Sequence, residues 1–286
     1  MLDYTDVRGG AGCIIGSTMQ HRARRTERAR THRRNAGGPW APCALAFCCA
    51  AALSFPVAAQ TSIEAAPLPA PFSTGKPGAA LPRGWEPVKL SDRKRPTDYA
   101  LVDDDGIVVL HAKAHGAASG LAQFTVFDIR SAPVVQWRWK VSALIEGADN
   151  RVAAKEDSPV RLLFAFDGDK SRLPFVERAM SYVTEKLSGR ELPYALLQYV
   201  WASKISVGTV IEHPYTRRVR MLVVASGPGG VGTWQSLSRN LYDDFRRAFD
   251  EEPGELLGVG VLTDTDNTGA SVEAWYGDIR LRPADR

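Results

Sequence analysis

The sequence has no cysteine after Cys49. All four cysteines, Cys13, Cys43, Cys48 and Cys49, lie near the start of the 286-residue chain. The remainder therefore has no disulfide, no thiolate metal site and no cysteine nucleophile. A folded domain there must depend on its hydrophobic core, and the region after residue 59 is long enough to form one.

The sequence also lacks an apolar run long enough to cross a membrane. The uncharged stretch at 40–55 is shorter than the roughly 20 residues that a transmembrane helix needs. It follows a basic segment at 21–34 and precedes Val57 and Ala59, which suit the −3 and −1 positions of a cleavage site. Basic, then apolar, then small is the order of a secretory signal. We predict that residues 1–59 are a signal segment cleaved near Ala59, and that the mature protein is periplasmic or secreted with no transmembrane segment.

The region after the signal lacks an excess of positive charge. The eight arginines and three acidic residues of 1–59 give that segment +5, whereas the whole chain carries +4, so the remainder carries −1. Such a chain has no positive field to attract a phosphate backbone. We therefore expect no nucleic-acid partner.

Regular patterns are absent between residues 60 and 84. This stretch holds five prolines among small residues, which is typical of a semi-extended linker. We predict a linker over 60–84 and one folded domain over 85–286.

Period-two patterns dominate the folded region. In 134–142, Val135, Trp137, Trp139 and Val141 fall on one face, which suggests core positions for both tryptophans. Strand-like runs occur at 106–113, 121–129, 134–142, 159–167, 194–202, 217–225, 256–263 and 270–281.

Helical spacing is confined to 175–188 and 236–249. Two helices among so many strands do not suit alternating βαβ units. We predict a mainly all-β fold, a β-sandwich or jelly roll with two accessory helices.

Five segments read in order carry a family resemblance. They are WRWK at 137–140, KEDSPVRLLFAFDGD at 155–169, YVW at 199–201, W-x4-RN-x2-DDF at 234–245 and LTDTDNTGASVEAWYGDIRL at 262–281. The chain resembles the bacterial exported family DUF3047 over roughly residues 85–283. The resemblance implies an exported β-rich domain and implies no particular activity.

An acidic turn in the last segment is a candidate metal site. Asp264, Asp266 and Thr268 alternate before Gly269, and oxygen ligands of this kind suit calcium. The alternative interpretation is a polar hairpin turn, since Asp, Thr, Asn and Gly are common turn residues.

Paired carboxylates give an enzymatic alternative. Asp157 with Asp264 or Asp266 would supply the acid and base of a glycan hydrolase or lyase if the groups lay about 5–10 Å apart across a cleft. The simpler interpretation is solvated or ion-paired loop charges.

Basic residues within strand runs are the candidate ligand contacts. Arg138, Lys140 and Arg161 would line one sheet face if their strands were neighbours, and such groups suit carboxylates and sugar hydroxyls. The alternative is a solvent-facing surface. The roles of Trp201, Trp234 and Trp275 stay open.

The favoured function is an exported, non-catalytic binding domain for a carbohydrate or cell-envelope component, with a possible structural calcium. The alternatives are the paired-carboxylate glycan hydrolase or lyase and a structural partner of an envelope protein.

Overall fold

The computed structural model describes residues 69–175, 177–178, 192–213 and 216–284. The predicted signal segment, residues 60–68 of the predicted linker and most of the helix predicted at 175–188 lie outside these described residues.

Thirteen strands of the described chain form two sheets. Sheet A has seven strands, in the spatial order β1 (Trp85–Lys89), β4 (Ala118–Phe127), β11 (Leu256–Asp264), β6 (Ser158–Phe166), β7 (Ala195–Ala202), β9 (Thr216–Ser226) and β8 (Val210–His213). Sheet B has the order β10 (Gln235–Asn240), β5 (Val134–Val141), β12 (Ser271–Tyr276), β3 (Ile107–His115) and β2 (Asp98–Asp104), and β13 (Arg280–Arg282) also pairs with β5. Neighbouring strands are antiparallel except β7 and β9.

The core lies between the inner faces of the two sheets. The alternation in β5 buries Val135, Trp137, Trp139 and Val141 as predicted. Trp137 stacks on Tyr199 of sheet A, with ring centroids 5.3 Å apart. This packing confirms the predicted all-β sandwich architecture, and it leaves the alternate residues of each strand on an outer face.

One helix of the described residues, α1 (Leu241–Phe249), packs beside the sheets. The prediction of a helix over 236–249 is wrong at its start, because 236–240 belongs to strand β10. Ser236, Leu237 and Ser238 pair with β5, and the Asn240 side chain caps the helix by accepting a hydrogen bond from the Asp243 N–H. In the part of the chain described here, no helix is long and apolar enough to span a membrane.

The acidic turn crosses between the two sheets. It leaves β11 in sheet A after Asp264 and enters β12 in sheet B at Ser271. It is therefore an inter-sheet connection rather than the hairpin turn considered above. The strand predicted over 270–281 is two strands, β12 and β13, which are separated at 277–279.

Candidate functional site

The outer face of sheet B carries a row of flat and cationic side chains. Lys140 of β5 lies opposite Trp275 of β12, and Trp275 lies opposite His111 of β3. Trp234 precedes β10, the neighbour of β5 on its other side. Because partners in a ladder project to the same face, these side chains meet above the sheet.

The row packs into one continuous stack, which consists of Arg138, Trp234, Lys140, Trp275 and His111. The Arg138 guanidinium carbon lies 4.3 Å from the Trp234 ring centroid. The Lys140 Nζ lies 5.2 Å from the Trp234 centroid and 4.5 Å from that of Trp275. The Trp275 and His111 rings are parallel within 6°, with centroids 4.7 Å apart. Cation–π and ring stacking contacts therefore join these side chains along the row.

Two acidic residues hold this stack, Asp104 at its inner members Trp234 and Lys140 and Glu273 at its His111 end. The Lys140 ammonium donates to both carboxylate oxygens of Asp104, at 2.7 and 2.8 Å, and the Trp234 Nε1–H donates to the same carboxylate at 2.6 Å. The bond from Lys140 holds the Asp104 pKa below its ordinary value. His111 Nε2 lies 2.7 Å from Glu273 Oε2. The stack is therefore pre-organised in the free protein.

An open cavity of about 510 Å³ lies beside the Arg138 end of the stack. Four polar side chains of β5 and β10 line it: Gln136, Arg138, Ser236 and Ser238. Gln136 lies opposite Ser238, and Arg138 lies opposite Ser236, so all four project to the outer face. None of the four side chains makes a hydrogen bond or ion pair with another residue that the structure describes. We call this set the polar pocket.

Gly277 leaves the space in which Arg138 lies. A Cβ at position 277 would lie 2.5 Å from the Arg138 Cγ and 2.8 Å from its Nε, so Arg138 would have to shift to accommodate it. Arg138 thus lies between Gly277 and the Trp234 ring, and no described residue accepts a hydrogen bond from its guanidinium. Arg138 and Lys140 therefore lie together on the face where the sequence predicts ligand contact.

Arg161 lies on the other sheet. It projects from β6 of sheet A, is 1% exposed, and donates to Glu156 Oε1 at 2.7 Å and Gln198 Oε1 at 2.9 Å. Its Nη2 lies 3.1 Å from Asp264 Oδ2. The structure therefore separates Arg161 from Arg138 and Lys140, and the three side chains do not line a common face.

The carboxylates around Arg161 have opposite pKa shifts. Burial raises the pKa of Asp264 to about 7, although Arg161 and the Ser158 N–H oppose the shift. Burial also opposes ionisation of Glu156, but the Arg161 charge and the contacts with His213 and Arg161 prevail and lower its pKa to about 2.

Stability is expected to fall as the pH rises from about 4 to 7. Folded Asp264 keeps its proton up to about pH 7, whereas the unfolded chain loses it near pH 4, so the unfolded state binds fewer protons in this window. One such group changes the free energy of unfolding by at most roughly 1.4 kcal/mol per pH unit. Urea unfolding of Asp264→Asn should lose this slope. It should keep the decline towards pH 2 that protonation of Glu156 causes. An unchanged slope between pH 4 and 7 would contradict this assignment.

The acidic turn is bound by protein groups. The Asp157 carboxylate, at the start of β6, accepts hydrogen bonds from the backbone and side chain of both Asn267 and Thr268, at 2.6–3.1 Å. The Asp266 carboxylate pairs with Lys94 at 2.8 Å. Each predicted calcium ligand, Asp264, Asp266 and Thr268, thus has a protein partner.

The calcium site stays a prediction. Among the described residues, no group of three or more His, Cys, Asp or Glu side chains is arranged to hold a metal ion. Of the carboxylates that the sequence proposes as catalytic groups, Asp157 and Asp264 are buried, at 1% and 6% exposure, and Asp266 is half-buried. In this arrangement their partners are protein groups, and the enzymatic alternative also stays a prediction.

Comparison with known sequences identifies the family. The family described as "Protein of unknown function (DUF3047)" matches residues 83–280, more than half of the chain. The chain belongs to this family. No curated protein matches the sequence.

Solved structures give distant similarities to this DUF3047 chain. One is the xyloglucanase domain of NopAA, a type three effector from Sinorhizobium fredii, in complex with cellobiose; the match has 9% identity and a TM-score of 0.40, and covers 74% of this chain and 100% of that one. A second is the cellulose-induced protein Cip1, with 12% identity, a TM-score of 0.30 and coverage of 70% and 91%. A third is an exo-beta-agarase, with 11% identity, a TM-score of 0.31 and coverage of 76% and 24%. At these scores the similarities determine neither a ligand nor an activity.

The DUF3047 match contains every residue of the stack and of the polar pocket. Sequence reasoning identified Arg138 and Lys140 but left Trp234 and Trp275 open and did not propose Gln136, Ser236 or Ser238. Gln136 was accessible to prediction, since it shares the outer face of the 134–142 alternation. Ser236 and Ser238 were not accessible to prediction, because the spacing at 236–249 predicts a helix there.

Proposed function

We propose that this DUF3047 protein is an exported, non-catalytic binding domain for a carbohydrate or a sugar-bearing envelope component, and that the ligand binds at the polar pocket on the outer face of sheet B. One observation carries the proposal. Gln136, Arg138, Ser236 and Ser238 face one cavity of about 510 Å³ with side-chain hydrogen-bonding groups that no described residue uses.

The donors and acceptors of the polar pocket suit sugars. Serine hydroxyls and the glutamine amide both donate and accept, as sugar hydroxyls do, whereas the guanidinium only donates and can bind a carboxylate through two bonds. Arg138 and Arg280 against Asp278 give the cavity a formal charge of +1. This balance favours a sugar that carries a carboxylate over a neutral one.

Arg138→Gln is expected to lower affinity for an acidic polysaccharide by about 10- to 100-fold. A hydrogen bond to a charged group contributes roughly 1.5–3 kcal/mol, and each 1.4 kcal/mol corresponds to a factor of ten. Affinity electrophoresis through polygalacturonate, through its methyl ester and with peptidoglycan sacculi measures the effect. Polygalacturonate should retain the wild type more strongly than its ester does.

The matched control is Arg151→Gln. Arg151 forms an ion pair with Asp149 remote from the pocket, and its side chain is 58% exposed, so its replacement should leave retention unchanged. Equal melting temperatures would show that both variants are folded. Retention that does not respond to Arg138→Gln would remove the polar pocket from the binding site, and no retention on any matrix would overturn the carbohydrate proposal.

A further inference from the structure

The outer face of sheet B carries a second cavity, of about 560 Å³. It is lined by β3 and β12 residues that include Lys113, His115 and Glu273, together with Ser142 at the end of β5. Glu273 lies opposite Lys113, and Ser271 lies opposite His115, so these side chains share the outer face with the stack.

The two cavities lie on opposite sides of the stack along the same strands. Gln136 of the polar pocket and Ser142 of the second cavity are six residues apart along β5. At about 3.3 Å per residue this separation is roughly 20 Å. Lys140 of the stack lies between them.

The stack connects the cavities by direct contacts. Arg138 lines the polar pocket and packs on Trp234. At the other end, Glu273 lines the second cavity and bonds His111, which is stacked on Trp275. The stack therefore lies between the two cavities and contacts a lining residue of each.

We infer that the ligand is a linear polymer that lies along β5 and β12 and occupies both cavities, rather than a single sugar or a chain end. A monosaccharide or disaccharide fills one cavity but is too short to span roughly 20 Å. A longer oligomer gains contacts at Lys113 and Glu273 without losing those at Arg138. This inference rests on the proposed carbohydrate function.

The test is titration calorimetry of the full chain with galacturonate oligomers of two, four, six and eight units, and with a matched cello-oligosaccharide series. The octamer is expected to bind at least tenfold more tightly than the dimer. Lys113→Ala should reduce the octamer-to-dimer affinity ratio several-fold, whereas Arg138→Gln should weaken both ligands. Lys89→Ala is the matched control, since Lys89 lies on β1 of sheet A and is well exposed, and it should leave the ratio unchanged.

The outcomes separate the two proposals. Binding that is equally tight for dimer and octamer, with no effect of Lys113→Ala on the ratio, overturns the extended ligand but keeps the polar pocket. Absence of binding by every oligomer of both series overturns the carbohydrate function and the extended ligand with it.

Discussion

Replacing Arg161 with methionine is expected to lower the melting temperature by about 6–20 °C. The guanidinium is buried between Glu156 and Asp264, at 2.7 and 3.1 Å, and its removal leaves the Glu156 carboxylate, whose pKa is lowered to about 2, without its counter-charge. Breaking a buried ion pair in this way costs roughly 3–5 kcal/mol, and each kcal/mol corresponds to about 2–4 °C in a domain of this size. Differential scanning calorimetry measures the shift.

Two further variants make this test specific. Arg130→Met breaks the exposed ion pair with Asp128 and should shift the melting temperature little, because exposed pairs contribute less than about 1 kcal/mol. Adding Glu156→Gln to Arg161→Met should restore part of the lost stability, since it removes the uncompensated charge. An Arg161→Met protein that melts within a degree or two of the wild type would refute the buried charge cluster.

The result also decides how Arg161 variants are interpreted. The sequence predicts that Arg161 contacts ligand, and on that basis a loss of glycan retention would identify the binding site. Because Arg161 is buried in sheet A, its variants alter the fold before they alter any surface contact. Arg138 and Lys140 are the informative positions for binding.

The strands that the sequence predicts are the well-buried ones in the middle of each sheet. The eight runs assigned from period-two patterns correspond to the central strands, where one or both faces are covered and the apolar alternation is strong. The four strands that sequence reasoning missed, β1, β2, β8 and β10, are the edges of the two sheets. An edge strand pairs with a neighbour on one side only, and its apolar and polar residues alternate weakly. In addition, β8 is short, with four residues, and β1 contains Pro87.

The candidate site was predictable only within single strands. Alternation in 134–142 places Gln136, Arg138 and Lys140 on one outer face, and the structure confirms this placement. Alternation indicates which side of a strand faces outward, but it does not indicate which sheet contains the strand. The separation of Arg161 from Arg138, and the approach of Trp234 to Lys140, therefore depend on strand order, which no local pattern encodes.

The partner of the acidic turn was equally inaccessible. Asp157 meets Asn267 and Thr268 across 110 and 111 residues of sequence. The contact forms because β6 and β11 are neighbours in sheet A, which brings the start of one strand beside the end of the other. Asp157 and Asp264, which the sequence proposes as catalytic carboxylates, thus both have protein partners that explain their burial.

Asp157→Asn is expected to lower the melting temperature by about 5–10 °C. The carboxylate accepts from the Asn267 N–H and Nδ2–H at 3.1 Å and from the Thr268 N–H and hydroxyl at 2.8 and 2.6 Å. An amide keeps one acceptor oxygen and turns an NH2 group towards the donors on the other side, so part-buried donors lose their partners at about 1–3 kcal/mol each. Asp128→Asn, which alters the exposed ion pair with Arg130, should cost far less. If the protein instead hydrolyses glycans and Asp157→Asn abolishes new reducing ends without changing the melting temperature, Asp157 acts in catalysis rather than in holding the turn.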